Sequence, residues 1–195
     1  MKKRNVGIFI FDEAEVLDFA GPFEVFSVTS ELNNYELFNV FTVGERKEAI
    51  SAVNGLSVNP TYDFSDCPKL DILIIAGGNG TRQQIQNQAV LDWVAKVHPD
   101  TEHTLSICSG SRLLGVLGLL DDQPYCTHHQ VYDDMEQIVP TGLPQKDQRF
   151  VQTGKIYTSG GISAGIDLSF HVVVQLHGKA IATKTAEYME YNWVG

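Results

Sequence analysis

The first candidate for chemistry in the sequence is a cysteine between an apolar run and a glycine-spotted segment. Ser106-Ile107-Cys108-Ser109-Gly110 has the form S-x-C-x-G. The related G-x-S-x-G elbow holds a nucleophile on a tight turn above a sheet. Small neighbours are needed there because the turn brings backbones close together. At the amino end of the helix that should follow, the thiol would feel the positive end of the helix dipole, which favours the nucleophilic thiolate. The next backbone N–H could donate to an anion developing on a substrate. The plainer alternative is a packed thiol, since free cysteine is often buried.

Other candidates surround it in type rather than in position. Asp18 lies in Val16-Leu17-Asp18-Phe19, among apolar neighbours. A carboxyl group there is either a helix cap or a catalytic acid/base. Glu24, in Phe23-Glu24-Val25, offers the same acid, or a solvated helix face or structural ion pair. Ala76-Gly77-Gly78-Asn79-Gly80 leaves an apolar run. No G-K-[ST] follows, so it is not a P-loop; an oxyanion-binding turn and a plain βα turn both remain open. Thr127-His128-His129 has no third ligand at helical spacing, so no metal site is expected and His128 stands as a candidate pocket residue. Cys67 and Cys126 read as inert.

These residues need elements to hold them. Residues 6–11 and 71–76 are continuous apolar runs, the pattern of strands covered on both faces. Residues 37–43 and 103–107 read as further strands. Helical spacing runs over 16–32, with Pro22 expected at a first turn, and over 83–97, 110–120 and 131–139. A last helical region starts near Ala164 and breaks near Gly178. Asn54-Gly55 and Thr153-Gly154 are hairpin signals. Strands alternating with helices predict an α/β fold with a mostly parallel central sheet. Ligands of such sheets sit beyond the carboxyl ends of the strands. Phe11, Ala76 and Ile107 are the ends that lead toward Asp18, Gly77 and Cys108.

Bulk properties narrow the function classes. The 195 residues suit a single domain spanning 1–195. The 43% hydrophobic fraction can fill a core, which excludes general disorder. A net charge of −10 repels phosphate, so neither nucleic acid nor an anionic membrane is an expected partner. Three cysteines without metal spacing indicate a reduced compartment, and no stretch approaches a membrane span, so a cytoplasmic location is expected.

Several blocks together resemble the ThiJ/PfpI superfamily, which shares its fold with class I glutamine amidotransferases. They are Val16-Leu17-Asp18-Phe19-Ala20-Gly21-Pro22-Phe23-Glu24-Val25-Phe26, Ile74-Ile75-Ala76-Gly77-Gly78 and Ile107-Cys108-Ser109-Gly110. Thr127-His128-His129 and Ser159-Gly160-Gly161-Ile162-Ser163-Ala164-Gly165-Ile166-Asp167 continue the pattern. Within the superfamily the chain is most similar to the isonitrile hydratase branch. It departs at Ser109, often Thr in the hydratases; at Asn79, where many relatives have proline nearby; and at His129, where many have Trp.

The resemblance implies a flavodoxin-like sandwich, a homodimer, a small-molecule substrate, and no metal or organic cofactor. It maps the nucleophile onto Cys108 and its acidic partner onto Asp18, and it gives the Gly77, Gly78 and Ser109 amides an anion-stabilising role. The implied reaction is hydration of an isonitrile to an N-substituted formamide through a thioimidate on Cys108. Alternatives are a 2-oxoaldehyde, amide or ester substrate, or a non-catalytic redox-sensing or ligand-binding domain. Related domains also front AraC-type regulators; the chain ends at Gly195 after its last helix, so no DNA-binding part is expected.

Overall fold

Strands apolar on both faces must be covered on both faces, and the computed structural model, which describes residues 2–195, builds the chain that way. The first part runs β1 (Arg4–Phe9), α1 (Val16–Glu31), β2 (Phe38–Gly44), β3 (Ile50–Ser51), β4 (Ser57–Val58), β5 (Tyr62–Asp63), β6 (Ile72–Ile75), α2 (Thr81–Gln84) and α3 (Gln88–Val97). The second part runs β7 (His103–Ser106), α4 (Ser111–Val116), β8 (Pro124–Tyr125), α5 (Tyr132–Ile138), β9 (Leu143–Pro144), β10 (Phe150–Thr153), β11 (Ile156–Ser159), α6 (Ala164–His177) and α7 (Lys179–Tyr188).

Seven strands form the central sheet, in the order β10-β11-β7-β6-β1-β2-β5. All neighbours are parallel except the β10–β11 hairpin at one edge. This is the mostly parallel, helix-flanked α/β sandwich of flavodoxin-like type that the sequence predicts. Every residue of β6 is fully buried, as are Val6, Ile8 and Phe9 of β1. The Trp93 ring of α3 stacks on Phe64 at 4.3 Å and leans on Phe9 at 5.7 Å. Helix α1 packs against β2, α6 and α7. Phe26 meets Phe38 edge-on at 5.0 Å, and the Thr29 and Thr185 hydroxyls join at 3.1 Å.

Some boundaries differ from the sequence reading, each for a physical reason. Helix α1 begins at Val16, so Pro22 lies inside it rather than in its first turn. Lacking an N–H, Pro22 cannot pair with the Asp18 carbonyl. The region 83–97 is not one helix: α2 ends at Gln84, and Asn87 caps a new helix by accepting from the Ala89 N–H at 3.1 Å. Helix α4 stops at Val116, short of 120, because Gly118 turns the chain at φ +70°. Asn54 (φ 63°) and Gly55 (φ 82°) form the turn between β3 and β4, consistent with the hairpin signal.

Candidate active site

Chain order alone brings three separate loops together. Strands β1, β6 and β7 are parallel neighbours, so their carboxyl ends share one edge. The chain leaves β1 for β2 on one side while β6 lies on the other side of β1. That makes the β1–β6 boundary a switch point, where such sheets open a crevice. Asp18 follows β1, Gly77 and Gly78 follow β6, and Cys108 follows β7.

Cys108 has the left-handed backbone of an elbow, with φ +55°. Its N–H donates to the Gly160 carbonyl at 3.2 Å. Its carbonyl accepts from Thr127 Oγ1 at 2.9 Å and Ser111 Oγ at 3.3 Å. The elbow passes directly over the end of β6: a Cβ on Gly110 would stand 2.5 Å from the Ile75 carbonyl oxygen. That contact is the reason for glycine at the last position of S-x-C-x-G.

Asp18 is not a helix cap. The cap position is Glu15, whose side chain makes no capping bond, and Asp18 lies inside the first turn of α1. Its carboxyl group is wholly buried. Oδ2 accepts from the Gly77 N–H at 3.0 Å, while Oδ1 has no partner among the described residues. Burial pushes Asp18 up to about 7, helped by the Glu15 carboxylate and opposed by the Gly77 amide, the Cys108 thiol and the Ile162 amide.

The structure corrects the expectation that a helix dipole favours thiolate at Cys108. Burial first, then the Asp18 carboxylate, push the thiol up to about 12, against the pull of the Ser109 and Ile162 amides. A short turn of Cys108–Gly110 and a helix of six residues follow the cysteine, and a dipole so short does not offset desolvation. Above pH 7 the Asp18–Cys108 pair therefore holds one proton between its two members.

Gly77 is where these groups converge. A Cβ there would lie 2.6 Å from Asp18 Oδ2, 2.7 Å from the Ser109 nitrogen and 2.8 Å from Cys108 Cβ. Gly77→Ala must push the acid and the thiol apart. We expect a loss of about 1–3 kcal/mol in stability from overpacking and at least a ~100-fold fall in turnover. Thermal melting and a turnover assay on the same preparation check both; unchanged turnover would show that the spacing of the pair is immaterial.

The glycine amides are already engaged within the protein. The Gly77 N–H holds Asp18, and the Gly78 N–H donates to Ser109 Oγ at 2.9 Å. Ser109 Oγ returns a bond to the Gly78 carbonyl at 3.0 Å. The amides that act on the thiol are those of Ser109 and Ile162.

Above Cys108 lies a cavity of about 340 Å³, with Cys108, Gly78, Ser109, Arg82, Arg112 and His128 on its wall; Asp18 and Gly77 are not on it. His128 is held below its ordinary value by burial. Gly161 leaves room for it, since a Cβ there would meet the imidazole at 2.1 Å. Glu24 is exposed on α1 and lies off this wall. Among the described residues no three His, Cys, Asp or Glu side chains gather to hold a metal, and no helix is long and apolar enough to cross a membrane.

Sequence reasoning missed Arg112, Thr81 and Ile162. Arg112 is buried, and its Nη1 donates to Thr81 Oγ1 at 2.9 Å. Its signal was available, as a lone charge four residues after Cys108 in an apolar helix. Ile162 has a φ of +54°, which no pattern in a β-branched residue announces.

Comparison with known proteins identifies the family. Residues 4–175 match the model of the DJ-1/PfpI family. An isonitrile hydratase from Pseudomonas putida is 30% identical over 189 residues, covering 96% of this chain and 78% of that protein. The HTH-type transcriptional regulator GbdR of Pseudomonas aeruginosa is 22% identical over 97% of this chain, which spans only 51% of the regulator's length. A crystal structure of a ThiJ/PfpI family protein from Pseudomonas syringae superposes with a TM-score of 0.88 at 24% identity, over 100% of this chain and 78% of that one. With most of the chain matched by one family's pattern and a relative this similar along nearly all of it, the chain belongs to the DJ-1/PfpI family.

Proposed function

We propose that this protein hydrates isonitriles to N-substituted formamides, with Cys108 as nucleophile and Asp18 as the acid and base. The observation that carries the reading is the buried pair: a thiol beside a carboxyl group whose Oδ1 has no partner. An isonitrile accepts its proton and its nucleophile on the same terminal carbon. Acid and thiol must then aim at one point, as a pair sharing one proton does. A carbonyl substrate makes a different demand, since its charge develops on an oxygen that needs free donors. The Gly77 and Gly78 amides are engaged elsewhere, so of the three expected donors only the Ser109 amide faces the thiol, a thinner cradle than an amide, ester or 2-oxoaldehyde would use.

The steps balance. The pair's single proton passes through Asp18 to the isonitrile carbon as the Cys108 sulfur bonds to that carbon, giving a thioimidate. Asp18, now a carboxylate, takes a proton from water while the hydroxide adds to the same carbon. The nitrogen gains the hydroxyl proton, the C–S bond breaks toward sulfur, and the formamide leaves. Asp18 and Cys108 again share one proton.

A ligand-binding role without turnover is the second reading, favoured by the relationship to GbdR. Redox sensing is the weaker form of it, because a thiol pushed up to about 12 is rarely the oxidisable thiolate. Cyclohexyl isonitrile incubated with the protein, followed by mass spectrometry, separates the readings. Many molecules of N-cyclohexylformamide per protein are expected. Absence of product at saturating isonitrile would overturn the hydratase reading in favour of binding.

A further inference from the structure

Two of the chain's five arginines line the cavity that holds Cys108, in a protein whose net charge is −10. Placing guanidinium groups together is unfavourable unless an anion separates them. Here one carboxylate does so for both. Asp134 Oδ2 takes an ion pair from Arg82 Nη2 at 3.0 Å and another from Arg112 Nη2. Within this three-residue cluster, two positive charges on one carboxylate leave one positive charge over. Glu15 is also on the wall, yet it pairs with neither arginine. His128 is held low by burial and so is neutral near pH 7.

Arg112 is 3% exposed, while the Arg82 side chain is 65% exposed. The buried guanidinium is fixed from below: Nη1 donates to Thr81 Oγ1, which donates in turn to the Gly78 carbonyl at 2.8 Å. Those contacts engage two of its five N–H groups, and the others have no acceptor among the described residues. A structural ion pair between α4 and α5 would need only Arg112 and Asp134. The convergence of Arg82, from α2, on the same oxygen is what such a pair leaves unexplained.

We propose that this cavity selects substrates bearing a carboxylate, held by Arg82 and Arg112 while the reactive group faces Cys108. The planar fork of arginine matches a carboxylate's two oxygens, and the Asp134 contact already shows both guanidiniums reaching one such group. The proposal rests on the hydratase reading for the reacting group, an isonitrile, but not for the anion.

The test compares 4-isocyanobenzoate with its methyl ester as substrates, and benzoate with methyl benzoate as unreactive ligands measured by calorimetry at low salt. The wild type should favour each carboxylate at least tenfold over its ester, with the preference shrinking as salt rises. In Arg82→Ala the carboxylate-to-ester ratio should fall to within about twofold of unity. Arg112→Lys, which keeps the charge but not the fork, should lose most of it too, and covers the case in which Arg112→Ala fails to fold. A ratio near one in the wild type, or a preference untouched by Arg82→Ala, overturns the proposal. Benzoate preference without turnover of any isonitrile would sink the hydratase reading and leave the anion site standing.

Discussion

Cys108→Ala is expected to abolish turnover, a loss of at least ~10⁴-fold, because it removes the nucleophile that forms the thioimidate. The variant should keep its fold. Alanine occupies the same left-handed backbone at φ +55° that cysteine already bears, so elbow strain of roughly 1 kcal/mol is carried over unchanged. The bonds that fix the elbow, from Gly160, Thr127 and Ser111, use main-chain atoms of residue 108 that alanine retains. Removing the sulfur from a buried site leaves a small void, a cost of about 1 kcal/mol. Acid-quenched intact mass provides the second readout. The wild type caught during turnover should carry the mass of one isonitrile, and the alanine protein none. Formamide production by Cys108→Ala at even a tenth of the wild-type rate would mean the cysteine is a bystander and Asp18 activates water alone.

How far the sequence foretold this site depends on what kind of interaction made it. The elbow was legible, because a tight turn restricts residue type: Gly110 lies under the Ile75 carbonyl and admits no side chain. The parallel sheet was legible from continuous apolar runs. Which amide serves which atom was not. The Gly77-Gly78 turn reads as an anion cradle, yet its N–H groups hold Asp18 and Ser109. Three-dimensional neighbours decide such assignments, and one of them, the Ile162 amide, comes from a loop fifty-four positions after Cys108.

The protonation of Cys108 was misread for a related reason. Helix dipoles follow from local order, whereas desolvation and the Asp18 charge follow from tertiary packing, and here packing prevails. Glu24 shows the same limit. Its residue type left an acid, a solvated helix face and an ion pair open, and the helix turns it toward solvent. Two-residue strands such as β5, β8 and β9 carry too few residues for any periodicity.

Asp18→Asn should separate catalysis from stability in opposite directions. The carboxyl group is raised from 3.8 to about 7, with burial the largest cause. A raised carboxyl value means the folded state binds the proton more tightly than the unfolded chain. The associated stability is fully present below pH 3.8, declines as pH rises, and is lost above about 7. Over that shift the loss is about 4 kcal/mol. Asparagine carries no charge to bury, but it places an amide where Oδ1 already lacks a partner, at about 1–3 kcal/mol. Asp18→Asn should therefore be more stable than the wild type by about 1–3 kcal/mol at pH 8, with the advantage gone by pH 4. Denaturant melts at the two pH values check this.

Turnover should move the other way, falling by about 10²–10⁴-fold, the worth of a positioned proton donor and acceptor. The pH profile tells a proton role from a merely structural one. In the wild type the reactive form of the pair has lost one proton, so kcat/KM should drop about tenfold per pH unit below 7 and level off above it. With asparagine at 18 that break should vanish, and what activity remains should climb with pH as the Cys108 thiol itself ionises. A wild-type profile flat from pH 5 to 8, or an unchanged break near 7 in the variant, would place the proton on some other group and remove Asp18 from the reaction.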